Sequence, residues 1–192
     1  MASQGTARAA SGLRTGLRRP LASRPLDILW IAFFALHLSA SLLIDSQAFV
    51  PRRLVPAPLS RLLQQYLADS RDPLITAALR RDPSYAWFIT ALALELCVQC
   101  PAFAAGIWGL WKDDARVYPW LIAYAALATT TTLQCLVSVT LGADRSGLSA
   151  ANMRALLSGY VPFVILPLGL GLDMIRRTAR LLEQPSVRDK TL

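Results

Sequence analysis

The fold is decided by the stretch WFITALALELCVQCPAF, residues 87–103. Its flanks extend the apolar run to about the 20 residues that a helix needs to cross the hydrocarbon core of a bilayer. Glu95 lies in the middle of this stretch, where an ionised carboxylate costs at least ~2.5 kcal/mol. Residues of this kind face an internal cavity or a partner, and Gln99 follows one helical turn later on the same face. The pair predicts a polar pocket inside a membrane protein.

The composition of the whole chain agrees with a membrane protein. The chain has 192 residues, of which 54% are hydrophobic and 17% are charged, and its mean hydropathy is +0.41. A soluble domain carries about 25% charged residues. The net charge of +8 indicates topology and contact with anionic lipid, because no basic patch interleaved with aromatic residues accompanies it. We therefore expect membrane lipids, and no nucleic acid, as partners.

Four segments are predicted to span the membrane, over about residues 26–49, 84–111, 117–141 and 156–175. They must be helices, since backbone groups at bilayer depth have no water to bond to. Tryptophans and tyrosines cluster near the segment ends, as is typical of the membrane interface. The predicted fold class is an all-α membrane protein, a four-transmembrane-helix bundle with an internal ligand cavity, over residues 26–176.

The two flanks indicate how the bundle is oriented. Residues 1–25 are predicted to be a disordered basic flank, although their arginine-rich, acid-free composition also fits a mitochondrial transit peptide. Residues 177–192 are predicted to be a tail. Four crossings put both termini on one side, and that side carries 12 Lys and Arg residues against 8 on the other. This excess favours cytoplasmic termini.

The connection between the first two segments has a pattern of its own. Leucines and a tyrosine recur there at helical spacing, at Leu59, Leu62, Leu63, Tyr66 and Leu67. This spacing predicts a short amphipathic helix that lies on the membrane or caps the bundle.

The first segment offers companions for Glu95. His37, Ser41 and Asp45 are spaced by four residues and therefore share one helix face. Asp45 either is solvated at the interface or joins Glu95 and Gln99 in a common cavity. A carboxylate in such a site attracts a cation or holds a proton, and either state suits a ligand with an amine or hydroxyl on an apolar body.

The third and fourth segments contain further polar side chains, and the fourth contains two prolines that interrupt the backbone hydrogen bonding of a helix. Thr129 to Thr132 cover most of a helix circumference, so at least one of them should face the interior. Tyr160 precedes Pro162 and Pro167, each of which removes a backbone donor. The prolines either produce a simple kink or mark a helix that lines a cavity.

Catalytic and metal chemistry have little support in the sequence. Cys97 and Cys100 form a C-x-x-C pair, but no second ligand pair exists, and both cysteines fit the alternative of small buried hydrophobes. His37 is the single histidine. We predict no catalytic residue, no metal and no cofactor.

Several short motifs occur together in a specific order. They are DSQAFVPR at residues 45–52, DPL at 72–74, WF at 87–88, ELCVQCPAF at 95–103, TTL at 131–133 and YVPF at 160–163. In this order and spacing the chain resembles the EXPERA-domain membrane proteins, most closely the sigma-2 receptor branch and more distantly the emopamil-binding sterol isomerases. The resemblance covers residues from about 26 to 176.

The resemblance implies a cavity that binds sterols or cationic amphiphiles in the endoplasmic-reticulum membrane. It implies that Asp45 contacts a ligand amine and that Glu95 lies beside it, protonated. The remaining implied ligand-binding residues are His37, Gln99, Thr132 and Tyr160, and the implied supporting residues are Asp72, Pro101 and Pro162. The expected function is that of a non-enzymatic, receptor-like protein in sterol or lipid homeostasis or trafficking, with a possible homodimer.

Two other functions stay open. The isomerases carry a carboxylate one turn after the histidine, where this chain has Ser41, so a sterol double-bond isomerase is the runner-up. An accessory factor in membrane-protein or mitochondrial-precursor handling is allowed by the family, although no residue specifies it. Phe163 is a departure from the receptor branch, which has a tyrosine there.

Overall fold

The computed structural model describes residues 19–183, so most of the predicted basic flank and the end of the predicted tail lie outside the described residues. The described part is helical and contains no strand. Four of its helical stretches are long and apolar enough to cross a membrane: Pro25–Ala48, Pro83–Trp111, Ala115–Leu141 and Ala150–Leu182. The predicted all-α, four-helix membrane fold is confirmed.

The first half of the bundle contains five helices. Helix α1 covers Pro25–Leu43 and continues into a 3₁₀ turn at Asp45–Ala48. The connection holds α2, Ala57–Ser70, and α3, Pro73–Arg80. The second span consists of α4, Ala86–Leu94, and α5, Cys100–Trp111, joined by a π-helical turn at Glu95–Gln99. Helix α2 is the amphipathic helix that the spacing predicts, and its Leu63 is buried in the core.

The second half is a long helical hairpin of α6, Tyr118–Leu141, and α7, Ala150–Leu182. Ser149 and Asn152 form a capping box that starts α7. Helix α7 runs through both prolines and ends seven residues beyond the predicted boundary near residue 175. Arg180 in its last turn favours this extension, because a cation stabilises the negative end of a helix.

The π-helical turn is the main local departure from the predicted straight helix. The backbone N–H of Cys100 bonds to the carbonyl of Glu95, five residues earlier. Pro101 has no N–H and cannot continue the ordinary ladder, so the helix is respaced immediately before it. The π-helical turn begins at Glu95 and ends at Gln99, the acid and the amide of the second apolar run.

The interior is packed as two apolar clusters. One includes Phe34, Phe103 and Leu121, and the other includes Leu74 and Phe88. The outer faces remain apolar, with large exposed side chains at Leu36 (61%), Trp120 (73%) and Ile165 (60%). Exposed apolar surface on four spanning helices is what contact with lipid tails requires. The chain is a multi-pass membrane protein.

Ion pairs join the chain ends at one end of the bundle. Arg24 is buried and contacts Asp27, while its guanidinium also donates to the carbonyl of Leu110 at 2.6 Å. Arg177 donates to Asp27 at 2.5 Å and pairs with Asp173 at 2.7 Å. The start of α1, the end of α5 and the end of α7 therefore lie on the same side. Nothing in the sequence pattern distinguished these arginines from ordinary interfacial anchors.

Candidate functional site

A cavity of about 190 Å³ lies inside the bundle and meets both clusters. Its wall is mostly apolar and draws residues from the spanning helices and from α2 and α3. The lining consists of His37, Ala40, Ile44, Asp45, Tyr66, Ile75, Phe88, Ala91, Leu92, Glu95, Thr131, Thr132, Cys135, Gly159, Tyr160 and Phe163. A concave apolar site with a few polar groups is the usual form of a small-molecule pocket.

Glu95 is held from the neighbouring helix α1. Its Oε1 contacts the hydroxyl of Ser41 and lies 3.4 Å from Nε2 of His37. The other ring nitrogen of His37, Nδ1, lies 3.2 Å from the hydroxyl of Tyr124. The rings of Phe103 and Phe163 each lie 4.6 Å from the imidazole. Glu95 therefore has polar partners before any ligand arrives.

Asp45 is in a different situation although it lines the same cavity. It begins the 3₁₀ turn that follows α1 and is half-buried. Within residues 19–183, its carboxyl group has no hydrogen bond and no ion pair. A carboxyl group on an apolar wall without a partner is an open acceptor for a cation or a hydroxyl.

Asp72 supports the wall from the connection. It is fully buried and caps α3, where its Oδ1 accepts from the backbone N–H of Leu74 at 2.9 Å and of Ile75 at 3.2 Å. Its Oδ2 accepts from the hydroxyls of Tyr66 at 2.6 Å and Tyr160 at 2.8 Å. Burial, and then the charge of Asp72, raises the pKa of Tyr66, so this phenol stays a neutral donor at neutral pH.

The structure brings most of the predicted ligand-binding residues to one cavity. Asp45, Glu95, His37, Thr132 and Tyr160 all line it.

Gln99 is the exception among the predicted ligand-binding residues. It is buried, with 2% of its surface exposed, but it is not among the residues that line the cavity. Because the backbone from Glu95 to Gln99 is π-helical, the one-turn spacing of an α-helix does not relate these two side chains.

The predicted supporting residues have different positions. Asp72 lies behind the cavity wall, where it orients two phenols. Pro101 is the second residue of α5 and Pro162 lies within α7, and both side chains are exposed. The prolines therefore act on backbone geometry and do not touch the cavity space.

The predicted ligand-binding set left out Tyr66, and Phe163 entered the prediction only as a departure from the receptor branch. Tyr66 reaches the cavity from the connection, and Phe163 packs against the imidazole. The signal for Tyr66 was present, because a tyrosine on the apolar face of a capping helix needs a partner for its hydroxyl. The partner itself, Asp72, was only six residues away in sequence.

Residues 19–183 contain neither a metal-binding group of side chains nor a disulfide. No group of three or more His, Cys, Asp or Glu side chains there could hold a metal ion. Cys97 is an exposed free thiol, while Cys100 and Cys135 are buried free thiols. What the cavity offers is an apolar space, one open carboxyl group and a second carboxyl group that already has partners.

Comparisons with known proteins point to one family. A family model described as EXPERA (EXPanded EBP superfamily) matches residues 58–174. Sigma intracellular receptor 2 of Homo sapiens is 28% identical over 166 residues, which cover 82% of this chain and 91% of that protein. Its counterpart in Xenopus tropicalis is 25% identical over 162 residues, covering 80% and 90%. Efficient mitochondria targeting-associated protein 19 of Saccharomyces cerevisiae is 26% identical over 156 residues, covering 74% and 91%.

Proposed function

Since the chain belongs to the EXPERA family, whose model matches more than half of its length, we propose that it is a receptor-like membrane protein that binds sterols or cationic amphiphiles in the cavity between its helices. The observation that carries this proposal is Asp45, a carboxyl group without a partner on the wall of an apolar cavity. An amine on a hydrophobic body would place its cation at Asp45 and its body against Phe88 and Phe163. The names of the receptor relatives agree with ligand binding.

The two acids have different roles in this proposal. The Ser41 hydroxyl has one proton and two acceptors in reach, the carbonyl of His37 at 2.9 Å and Oε1 of Glu95. A proton on Glu95 would satisfy both contacts at once. Two carboxyl groups in one apolar site do not ionise together readily. We therefore assign the proton to Glu95 and the negative charge that meets the ligand to Asp45.

Binding of a fluorescent cationic amphiphile to the purified protein tests this assignment. Asp45→Asn should weaken binding at least about tenfold, because the ligand cation loses a charge-assisted hydrogen bond. Glu95→Gln should have a smaller effect, since glutamine is close in shape to a protonated glutamate. Asp69→Asn is the matched control, because Asp69 is exposed on α2 and does not line the cavity.

Each other outcome has a clear meaning. Unchanged binding in both variants would show that the cavity is not the ligand site. A larger loss in Glu95→Gln than in Asp45→Asn would reverse the proposed roles. Equal losses in Asp45→Asn and Asp69→Asn would indicate a general effect of charge.

A sterol double-bond isomerase is the second candidate, and one contact favours it. His37 Nε2 lies 3.4 Å from Oε1 of Glu95 on the wall of an apolar cavity, so two groups able to move protons are adjacent. Expression in a sterol auxotroph that lacks the isomerase tests the activity. Failure to restore growth at normal expression would exclude this function.

The yeast relative supplies a third candidate through its name, efficient mitochondria targeting-associated protein 19. This chain would then act in the handling of mitochondrial precursors at a membrane. Proximity labelling in cells should recover precursor proteins if this is correct, and a labelled set without precursors or translocation factors would contradict it.

We propose the endoplasmic-reticulum membrane as the location, with both termini cytoplasmic. The receptor relatives and the Lys and Arg distribution support this proposal. Imaging of a C-terminally tagged protein tests it. A signal confined to the inner mitochondrial membrane would contradict this location.

A further inference from the structure

A second cavity, of about 140 Å³, lies at the end of the first span. It is formed by the short turns that follow α1 together with α2 and α3. Its apolar floor includes Leu63, Leu67 and Leu79. Its polar lining consists of Gln47, Arg52, Ser60 and Gln64.

The charge in this second cavity is opposite to that of the first. No carboxyl group lines it, and Arg52 is exposed with no hydrogen bond or ion pair within the described part of the chain. Two nearby residues are also exposed cations: Arg53, next to Arg52 in the same 3₁₀ turn, and Arg61 on α2. A free guanidinium offers a planar fork of N–H donors that matches the oxygens of a phosphate group.

Ser60 offers a second donor in the same space. Its oxygen accepts a hydrogen bond from the Gln64 amide at 3.1 Å, which leaves its own hydroxyl proton available. Gln47 cannot contribute its amide protons, because they already bond to the carbonyls of Leu43 at 2.6 Å and Leu59 at 3.0 Å. Arg52 and Ser60 therefore both have donors available to an anion.

The surroundings indicate that the anion has a hydrophobic body. Leu54 is 65% exposed two residues after Arg52, and Phe49 and Val50 are each 38% exposed just before it. These residues follow directly on the first span, so they lie at the depth where headgroups give way to acyl chains. We propose that this cavity binds the phosphate headgroup of an anionic phospholipid, with its acyl chains against these exposed side chains.

Native mass spectrometry of the detergent-purified full chain with dioleoylphosphatidylglycerol tests the site. Arg52→Gln should weaken lipid binding about tenfold, the size expected when one charge-assisted hydrogen bond is lost. Arg61→Gln removes the same charge from a residue outside the cavity and should change binding less than about twofold. Ser60→Phe should weaken binding as strongly as Arg52→Gln, because the ring would fill the cavity.

Other outcomes of this experiment would distinguish a specific lipid site from general attraction by surface charge and from a site for free phosphate. Equal losses in Arg52→Gln and Arg61→Gln would mean that surface charge alone attracts the lipid and would overturn the site. Inorganic phosphate that binds wild type as tightly as the lipid, and is lost in Arg52→Gln, would overturn the assignment to a phospholipid. If Ser60→Phe does not fold, as judged by its thermal midpoint, the matched arginine pair still decides the result.

Discussion

Asp72 is expected to make a large polar contribution to the stability of this bundle, because it is buried and accepts four hydrogen bonds. Replacing it by alanine removes the cap of α3, worth about 1 kcal/mol. It also removes the acceptor for the hydroxyls of Tyr66 and Tyr160, at 2.6 and 2.8 Å, and hydrogen bonds to a charged group contribute about 1.5–3 kcal/mol each. These terms are not independent, so we expect a loss of about 4 kcal/mol in total.

A loss of this size should lower the thermal midpoint of Asp72→Ala by about 10 °C for a chain of this length. Tryptophan fluorescence during heating in detergent measures the midpoint. Asp72→Asn should fall between Asp72→Ala and wild type, because asparagine caps a helix as well as aspartate but replaces the acceptor of the two phenols by an amide. Asp82→Ala is the matched control, since Asp82 only caps a short 3₁₀ turn through Ser84 N–H at 2.9 Å.

Two results would refute this reasoning. A midpoint of Asp72→Ala within about 2 °C of wild type would show that the four hydrogen bonds contribute little. A midpoint of Asp72→Asn as low as that of Asp72→Ala would show that the cap, retained in asparagine, is irrelevant.

Three further predictions concern the ends, the core and the cavity wall. Hydrogen bonds from Arg19 lower the pKa of Asp113 below its ordinary 3.8. The pair therefore stabilises the folded protein above that pH, and this stabilisation is lost as the pH falls through the folded-state pKa. In thermal scans, the midpoint of Asp113→Asn should fall less than that of wild type between about pH 5 and pH 2. Gly106→Ala would place a Cβ 2.7 Å from a ring carbon of Phe34 and should cost about 1–3 kcal/mol, seen as a lower midpoint. Gly159→Val, where a Cβ meets nothing within 4 Å, should keep the midpoint but weaken binding of a wide amphiphile more than of a slim one.

Matched variants separate these effects from general disturbance. Gly169→Ala places a Cβ at an ordinary 3.5 Å from Trp30 and should leave the midpoint unchanged. Ser158→Val changes an exposed neighbour of Gly159 outside the cavity and should bind both amphiphiles like wild type. If the thermal midpoints of Asp113→Asn and wild type depend identically on pH, the ion pair with Arg19 is fully screened by solvent and salt.

The spans and the amphipathic helix could be predicted from the sequence because each depends on a local property. Apolar length determines a crossing, and the spacing of leucines determines the buried face of α2. The clustering of His37, Asp45 and Glu95 could also be predicted from the sequence, because a polar residue in a membrane-spanning apolar run needs an interior partner.

Other contacts depend on how distant helices are rotated against one another. Tyr160 and Asp72 are 88 positions apart, and Arg177 and Asp27 are 150 apart. No periodicity within one segment relates such pairs. The π-helical turn is a third case, because Pro101 indicates that a ladder bond is missing but not how the backbone will be respaced.

The local backbone explains why two acids in one cavity differ in their availability. Glu95 lies within a continuous span, where the π turn sets it opposite Ser41 and His37 of α1, and its Oε1 contacts both residues. Asp45 lies in the 3₁₀ turn that follows α1, and the hydroxyl of Ser41, one turn before it, is already engaged by the carbonyl of His37 and by Glu95. Under the proposed function, a negative charge at Asp45 would be left for a ligand cation to neutralise, whereas Glu95 already has partners at Oε1. The proposed site would then select a single cation at the end of an apolar body, with Glu95 as a hydrogen-bonded part of the wall.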